Sequence, residues 1–243
     1  ERAGNAALAV ACAGCISALV PAVAQSRLLS AAIALAALWI ATLTNLAGVR
    51  ESARAQVVLT VLKLVPIALF AFVAVFFVDT ANYHPFLPEG GDLFEIAWGG
   101  AAITLWAFLG LEASTIASAS IRDPEKNVAR ATVVGTLIAG FLTMLACTVV
   151  LGVLPRTQIA QSPAPMAEAA AHLFGAPAGV LLAITAAVAS YGALNGWVML
   201  MGELPAQAAQ AGLFPRSLGL RDGNGTPRRM LLVGTVLGSV LIV

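Results

Sequence analysis

Glu112 is a carboxylate inside an apolar run, where lipid accepts charge only against a protein-lined or water-filled partner site. The chemistry it offers is proton exchange or contact with a cation; the plainer alternative is an acid hydrogen-bonded between helices. Trp106 and Glu112 stand about 240° apart around a continuous helix, so they share one cavity only if Gly110 between them breaks it. Broken helices at the midplane are how transporters present backbone groups to substrate. Lys63 is a second intramembrane charge, three residues before Pro66. Either it snorkels to an interface, or its ammonium replaces a coupling sodium ion or exchanges a proton during transport. Asn5, Leu8, Cys12 and Cys15 share one helix face. Asn5 brings a donor and an acceptor, for a neighbouring helix or for a ligand. Trp197 lies mid-span in Gly192-Ala193-Leu194-Asn195-Gly196-Trp197, on one face with Ser190. It is either core packing or a platform for a cationic or flat ligand.

Other chemistries lack their residues. Cys12 and Cys15 form a Cys-x-x-Cys with no second pair and no nearby His, short of the four ligands of structural zinc. They read as small packing residues. His84 and His172 have no metal-ligand spacing, so neither metal nor cofactor is expected. No nucleotide-binding fingerprint occurs, and no basic pattern points to nucleic acid. An enzyme would need a nucleophile–base pair or metal ligands inside the spans, where no His stands. A channel would need a continuous polar pore, whereas these polar groups are single residues on separate helices.

The elements that must position these residues are membrane helices. The chain is 60% hydrophobic and 10% charged, against about 25% charged in soluble domains, and its mean hydropathy is +0.91. The apolar residues fall in blocks of about 20, the length that crosses a bilayer as a helix. Spans are expected at Ala3–Val23, Leu28–Leu46, Val57–Val78, Ile96–Ile121, Thr132–Leu154 and Ala178–Gly202, with a truncated one from Met230. Ser162-Pro163 opens a short helix over Ala164–Phe174, and Asp222–Pro227 is a turn-rich loop. Lys and Arg settle the topology. The segments Ala47–Gln56, Arg122–Arg130 and Arg216–Arg229 hold nine, against two in the alternate loops (Arg27 and Arg156), which places those three segments in the cytoplasm. Glu1 opens directly into one apolar run and Val243 ends inside another, so the chain reads as an internal fragment, residues 1–243 forming one transmembrane domain.

Leu105-Trp106-Ala107-Phe108-Leu109-Gly110-Leu111-Glu112-Ala113-Ser114, followed by Asp123-Pro124-Glu125-Lys126-Asn127-Val128-Ala129-Arg130, resembles transmembrane helix 6 and the next loop of amino acid permeases. These form the amino acid–polyamine–organocation superfamily. Gly4-Asn5, Asn45-Leu46-Ala47-Gly48, Ser162-Pro163, Gly196-Trp197, Gly212-Leu213-Phe214-Pro215 and Gly225-Thr226-Pro227 extend the likeness along the whole chain. It is nearest the basic amino acid/polyamine antiporter family, which includes arginine/agmatine exchangers. The resemblance implies an all-α LeuT-like inverted-repeat fold, from about helix 3 to the start of helix 9. It also implies a secondary transporter of cationic amino acids or amines in the bacterial inner membrane, by exchange or with protons; the alternative is a proton-coupled symporter for neutral amino acids. By resemblance Trp106 is the gate over bound substrate, Trp197 a stacking wall and Asn5 a partner for the substrate's distal end. Backbone near Phe108, Leu109 and Gly110 takes the α-amino group, and Glu112 is the proton-sensing acid. Lys63-Leu64-Val65-Pro66 resembles the helix 5 lysine of proton-coupled, sodium-independent relatives, which arginine/agmatine exchangers lack. A homodimer embedded in membrane lipid completes the implied partners.

Overall fold

In lipid a chain segment satisfies its own N–H and C=O groups only as a helix or within a closed barrel, and the long Ala-, Leu- and Val-rich runs take the first solution. The computed structural model describes residues 2–85, 92–104, 123–162, 164–215, 217, 219–223 and 225–242. Among them there is no strand. The order is α1 (Arg2–Leu19), α2 (Pro21–Gln25), α3 (Arg27–Leu46), α4 (Val49–Ala74), the 3-10 turns Val75–Phe77 and Thr80–Tyr83, then α5 (Leu93–Thr104). It continues with α6 (Pro124–Val153), α7 (Arg156–Gln161), α8 (Pro165–Phe174), α9 (Ala176–Gln210) and α10 (Arg228–Ile242). Four of the described helices, α3, α4, α6 and α9, are long and apolar enough to cross a membrane.

The chain divides into two compact units, Glu1–Leu69 with Pro163–Val243, and Phe70–Ser162. In the first, α1, α3, α9 and α10 pack on one another. Their shared core is built of small residues, Ala9, Ala13, Ala34, Ala37 and Ala41, with Leu38, Leu194, Val198, Met201 and Leu231 between them. Small residues let helix backbones approach closely where lipid supplies no hydrophobic drive to associate. One buried polar pair crosses this core, Thr42 Oγ1 to Thr235 Oγ1 at 2.8 Å. Gly48 (φ 124°) makes the corner between α3 and α4, and Gly175 (φ 86°) the one between α8 and α9; both conformations suit glycine alone.

In the second unit the Thr80–Tyr83 turn is pinned to the end of α6. Asp79 N and Asn82 Nδ2 each donate to the Gly152 carbonyl at 2.9 Å. Tyr83 Oη donates to the Thr148 carbonyl at 2.8 Å, and Arg156 donates to the Tyr83 carbonyl at 3.0 Å. Phe72 and Phe141 meet with ring centroids 6.3 Å apart.

The expected spans differ from these helices in a consistent way. The first is interrupted: α1 stops at Leu19 and α2 starts at Pro21, because Val20 before the proline is extended (φ −125°, ψ 96°). α4 begins at Val49 rather than Val57, α6 at Pro124 rather than Thr132, and α9 runs to Gln210 rather than Gly202. Segments expected as loops, Ala47–Gln56 and Arg122–Arg130, are therefore largely helical. At 35 residues, α9 is about 52 Å long, against about 30 Å of hydrocarbon. Its charged and polar turns continue the helix into water, where hydropathy no longer detects it. The Asp222–Pro227 turn is found as expected, with Asp222 Oδ1 accepting from Thr226 N at 2.9 Å. Of the Ile96–Ile121 span, the described part is helical to Thr104.

Candidate functional site

Asn5, Cys12 and Cys15 share one face of α1, and that face packs against α9. Asn5 is fully buried. Its Nδ2 donates to Met201 Sδ at 3.2 Å, while its Oδ1 has no hydrogen-bond partner among the described residues. Further along the seam, the Cys12 thiol lies 3.8 Å from the Ala187 carbonyl and Cys15 Sγ 3.7 Å from Ser190 Oγ. Trp197 is half-buried. It lies one turn from Met201 on α9 and, as expected, on the side of the helix that carries Ser190. Helical spacing places Trp197 on the side of α9 that carries Ser190 and Met201, the two residues that meet α1.

Chemically this seam presents a desolvated amide oxygen, a thioether, a hydroxyl and two thiols between walls of small residues. Among the described residues it carries no charge and no nucleophile–base pair. A buried oxygen without a donor costs about 1–3 kcal/mol, a cost that an incoming ammonium or amide N–H removes. Among the described residues no group of His, Cys, Asp or Glu is arranged to hold a metal ion.

Lys63 sits at mid-length in α4, half-buried, and among the described residues no carboxylate pairs with it. Measured along the helix it is about 14 Å beyond Arg54. Arg54 itself is exposed and paired with Glu51 at 2.7 Å. Trp106, Phe108, Leu109, Gly110 and Glu112 lie outside the described residues.

A second polar cluster, to which the sequence reading assigned no role, joins α3, α4 and α9. Asn45 Nδ2 donates to the Asn195 carbonyl and to Asn195 Oδ1, both at 3.2 Å. Ser52 Oγ donates to Asn45 Oδ1 at 2.7 Å, and Asn195 Nδ2 donates to Gln56 Oε1 at 3.2 Å. Asn45, Ser52 and Asn195 are buried. The available signal was two amides in apolar helices, Asn45 and Asn195, whose partners lay in a segment read as a loop. At the same end of α9, Arg221 from the following loop grips Glu203 with both guanidinium nitrogens, at 3.0 and 2.7 Å. The hydrogen bonds it donates to Glu203 hold the Arg221 guanidinium above its ordinary pKa.

Comparison with known proteins decides the family, since the amino acid permease family matches residues 3–243. The chain belongs to the amino acid permease family. This permease is 29% identical to the cadaverine/lysine antiporter of Escherichia coli over 245 residues, 99% of this chain and 54% of that protein. It is 30% identical to a putative arginine/ornithine antiporter of Bacillus subtilis over 227 residues, 90% of this chain and 48% of the relative. With the putrescine transporter PotE of Escherichia coli it shares 30% identity over 185 residues, 74% of this chain and 41% of that one. The permease spans about half the length of the curated relatives it matches. Family and relatives are transporters rather than enzymes. The all-helical architecture agrees with the LeuT-like fold that the resemblance implied, and the permease is a multi-pass membrane protein.

Proposed function

We propose that this permease moves cationic amino acids or their amine products across the bacterial inner membrane by alternating access, exchanging one for the other or coupling to protons. The observation that carries the reading is the buried Asn5 Oδ1 on the α1–α9 seam, an acceptor without a donor among the described residues, in a chain whose relatives are named for lysine, cadaverine, arginine, ornithine and putrescine. An amide oxygen meets the distal ammonium or guanidinium of such a substrate, and Trp197 stacks on its aliphatic or planar part. In this reading Trp106 closes over the substrate, backbone at Phe108, Leu109 and Gly110 takes the α-amino group, and Glu112 senses protons. Residues 1–243 act as one transmembrane transporter domain, embedded in lipid and competent to pair as a homodimer. The basic segments at 47–56, 122–130 and 216–229 face the cytoplasm.

Substrate only biases such a protein through unequal affinity for its inward and outward states. Chemical class is tested by competition. One labelled substrate is challenged with arginine, lysine, ornithine, agmatine, putrescine and neutral amino acids, in proteoliposomes of the full-length protein. Displacement by the cationic compounds supports the reading, and displacement by neutral amino acids alone overturns it. Lys63 favours a second reading, a proton-coupled symporter for neutral amino acids. Its half-buried ammonium at mid-helix, with no carboxylate partner among the described residues, suits a group that gains and loses a proton. A pH gradient driving uptake of a neutral amino acid, and not of a cationic one, into empty vesicles selects that alternative.

A further inference from the structure

We propose that Gln56 and Asn195, with Asn45 and Ser52 behind them, form a latch. It holds the first turns of α4 against α9 and so sets which face of the membrane the transport site opens to. This rests on reading the chain as an alternating-access transporter.

Of α4, the residues up to Leu69 belong to the first unit. α1, α3, α9 and α10 pack on one another along their lengths, whereas α4 reaches this group through about three turns at its start. There Ser52 donates to Asn45, Gln56 accepts from Asn195, and Leu59 lies against Gly192. A Cβ on Gly192 would come within 3.3 Å of Leu59 Cβ, and one on Gly196 within 3.7 Å of the Gln56 amide. The two glycines, spaced as in close-packing membrane helices, make the seat in which α4 rests. Beyond it Val61, Leu62, Val65 and Leu69 are all more than half exposed.

The seat is flanked by open space. One cavity of about 360 Å³ is lined by Ser52, Gln56, Thr60, Gly196 and Met199 among others. Another of about 390 Å³ is lined by Thr44, Arg54, Leu59, Tyr191 and Asn195. Both are open grooves rather than sealed voids, so among the described residues α4 meets α9 at this seat through Leu59 and the Gln56–Asn195 hydrogen bond. Pro66, further along α4, has no N–H to give and leaves the helix weakest there.

Asn195 is the pivot of the arrangement. Its backbone carbonyl and Oδ1 both face Asn45, so its side chain is oriented before Nδ2 meets Gln56. It stands two residues from Trp197 on the same rigid helix. Engagement of the latch and the position of the proposed stacking wall therefore share one element. Each net hydrogen bond is worth a factor of about two to ten in an equilibrium. That is enough to bias two states of similar free energy and too little to lock either.

The test uses full-length protein on a cysteine-free background, carrying Met199→Cys as a reporter in the α4–α9 cavity. Alkylation by a membrane-impermeant maleimide is timed from each face of the vesicle separately. Gln56→Leu removes the acceptor and should speed labelling from one face by about three- to tenfold. Ser52→Ala should do so less. Gln56→Glu keeps an acceptor at the same place and should stay at the parental rate. Equal rates in Gln56→Leu, Ser52→Ala and parent would reduce the cluster to static packing. If Gln56→Leu does not fold, Ser52→Ala decides by the same criterion. Substrate counterflow in the same vesicles separates the two claims. Unchanged labelling in a protein that exchanges substrate overturns the latch alone, and changed labelling in one that transports nothing overturns the proposed function.

Discussion

Asn5 carries opposite signs for stability and for binding. Among the described residues its buried Oδ1 lacks a donor, so replacing the side chain with leucine removes a desolvation cost of about 1–3 kcal/mol along with the bond to Met201. Asn5→Leu is therefore expected to leave the melting temperature unchanged or raise it. Affinity for a cationic substrate should fall by about 1.5–3 kcal/mol, the range for hydrogen bonds to charged groups. Paired loss of stability and binding would make Asn5 a structural residue. Trp197→Leu should weaken binding of a cationic side chain by about 1–2 kcal/mol; unchanged affinity in equilibrium binding would leave the indole as packing. The Asn5, Cys12 and Cys15 face was legible because helical spacing fixes which residues share a side. The Asn45–Ser52–Asn195–Gln56 cluster was not, because its hydrogen bonds join residues far apart in sequence, and Ser52 and Gln56 stand where composition indicates a loop.

At the scale of elements the long helices were legible from hydropathy, and their water-facing ends were not. Glu51 and Arg54 pair three positions apart on α4 and suit a helix in water as well as a charged loop would, so composition there does not choose between them. Packing of the short helix α8 on α9 is equally invisible in composition. It depends on Gly179, where a Cβ would meet Ala171 Cβ at 2.7 Å and the Ala167 carbonyl oxygen at 2.9 Å. Because one of those atoms is backbone, Gly179→Ala should destabilise the protein by about 1–3 kcal/mol, read as a lower melting temperature in detergent. The loop after α9 is held by Arg221, and the Glu203 side chain beneath it is only 13% exposed. Arg221→Ala strands that carboxylate and should lower the melting temperature. Adding Glu203→Gln should recover part of the loss, because the interaction energy of a close pair appears only in the double-mutant cycle. The raised guanidinium pKa gives this clamp a definite sign with pH: its stabilisation is complete below the ordinary arginine value and is lost only as pH climbs through the higher folded one. A melting series across neutral to mildly alkaline pH should show no loss traceable to it.

For the whole molecule, the family was legible because its motifs run along the chain in order, and residues 3–243 match it. Substrate choice is harder to read, because it depends on a few side chains around one cavity while the chain covers about half the length of its relatives. The proposed function in its exchange form makes one demand on the full-length protein: a cationic amino acid and its amine product must exchange through it. Uptake of labelled lysine or arginine is measured into proteoliposomes loaded with unlabelled cadaverine, putrescine or agmatine, and into empty ones, with no pH gradient. The account predicts uptake that saturates and is stimulated several-fold by the internal amine. Equal uptake into loaded and empty vesicles would contradict exchange, and stimulation by internal neutral amino acids only would contradict the cationic reading.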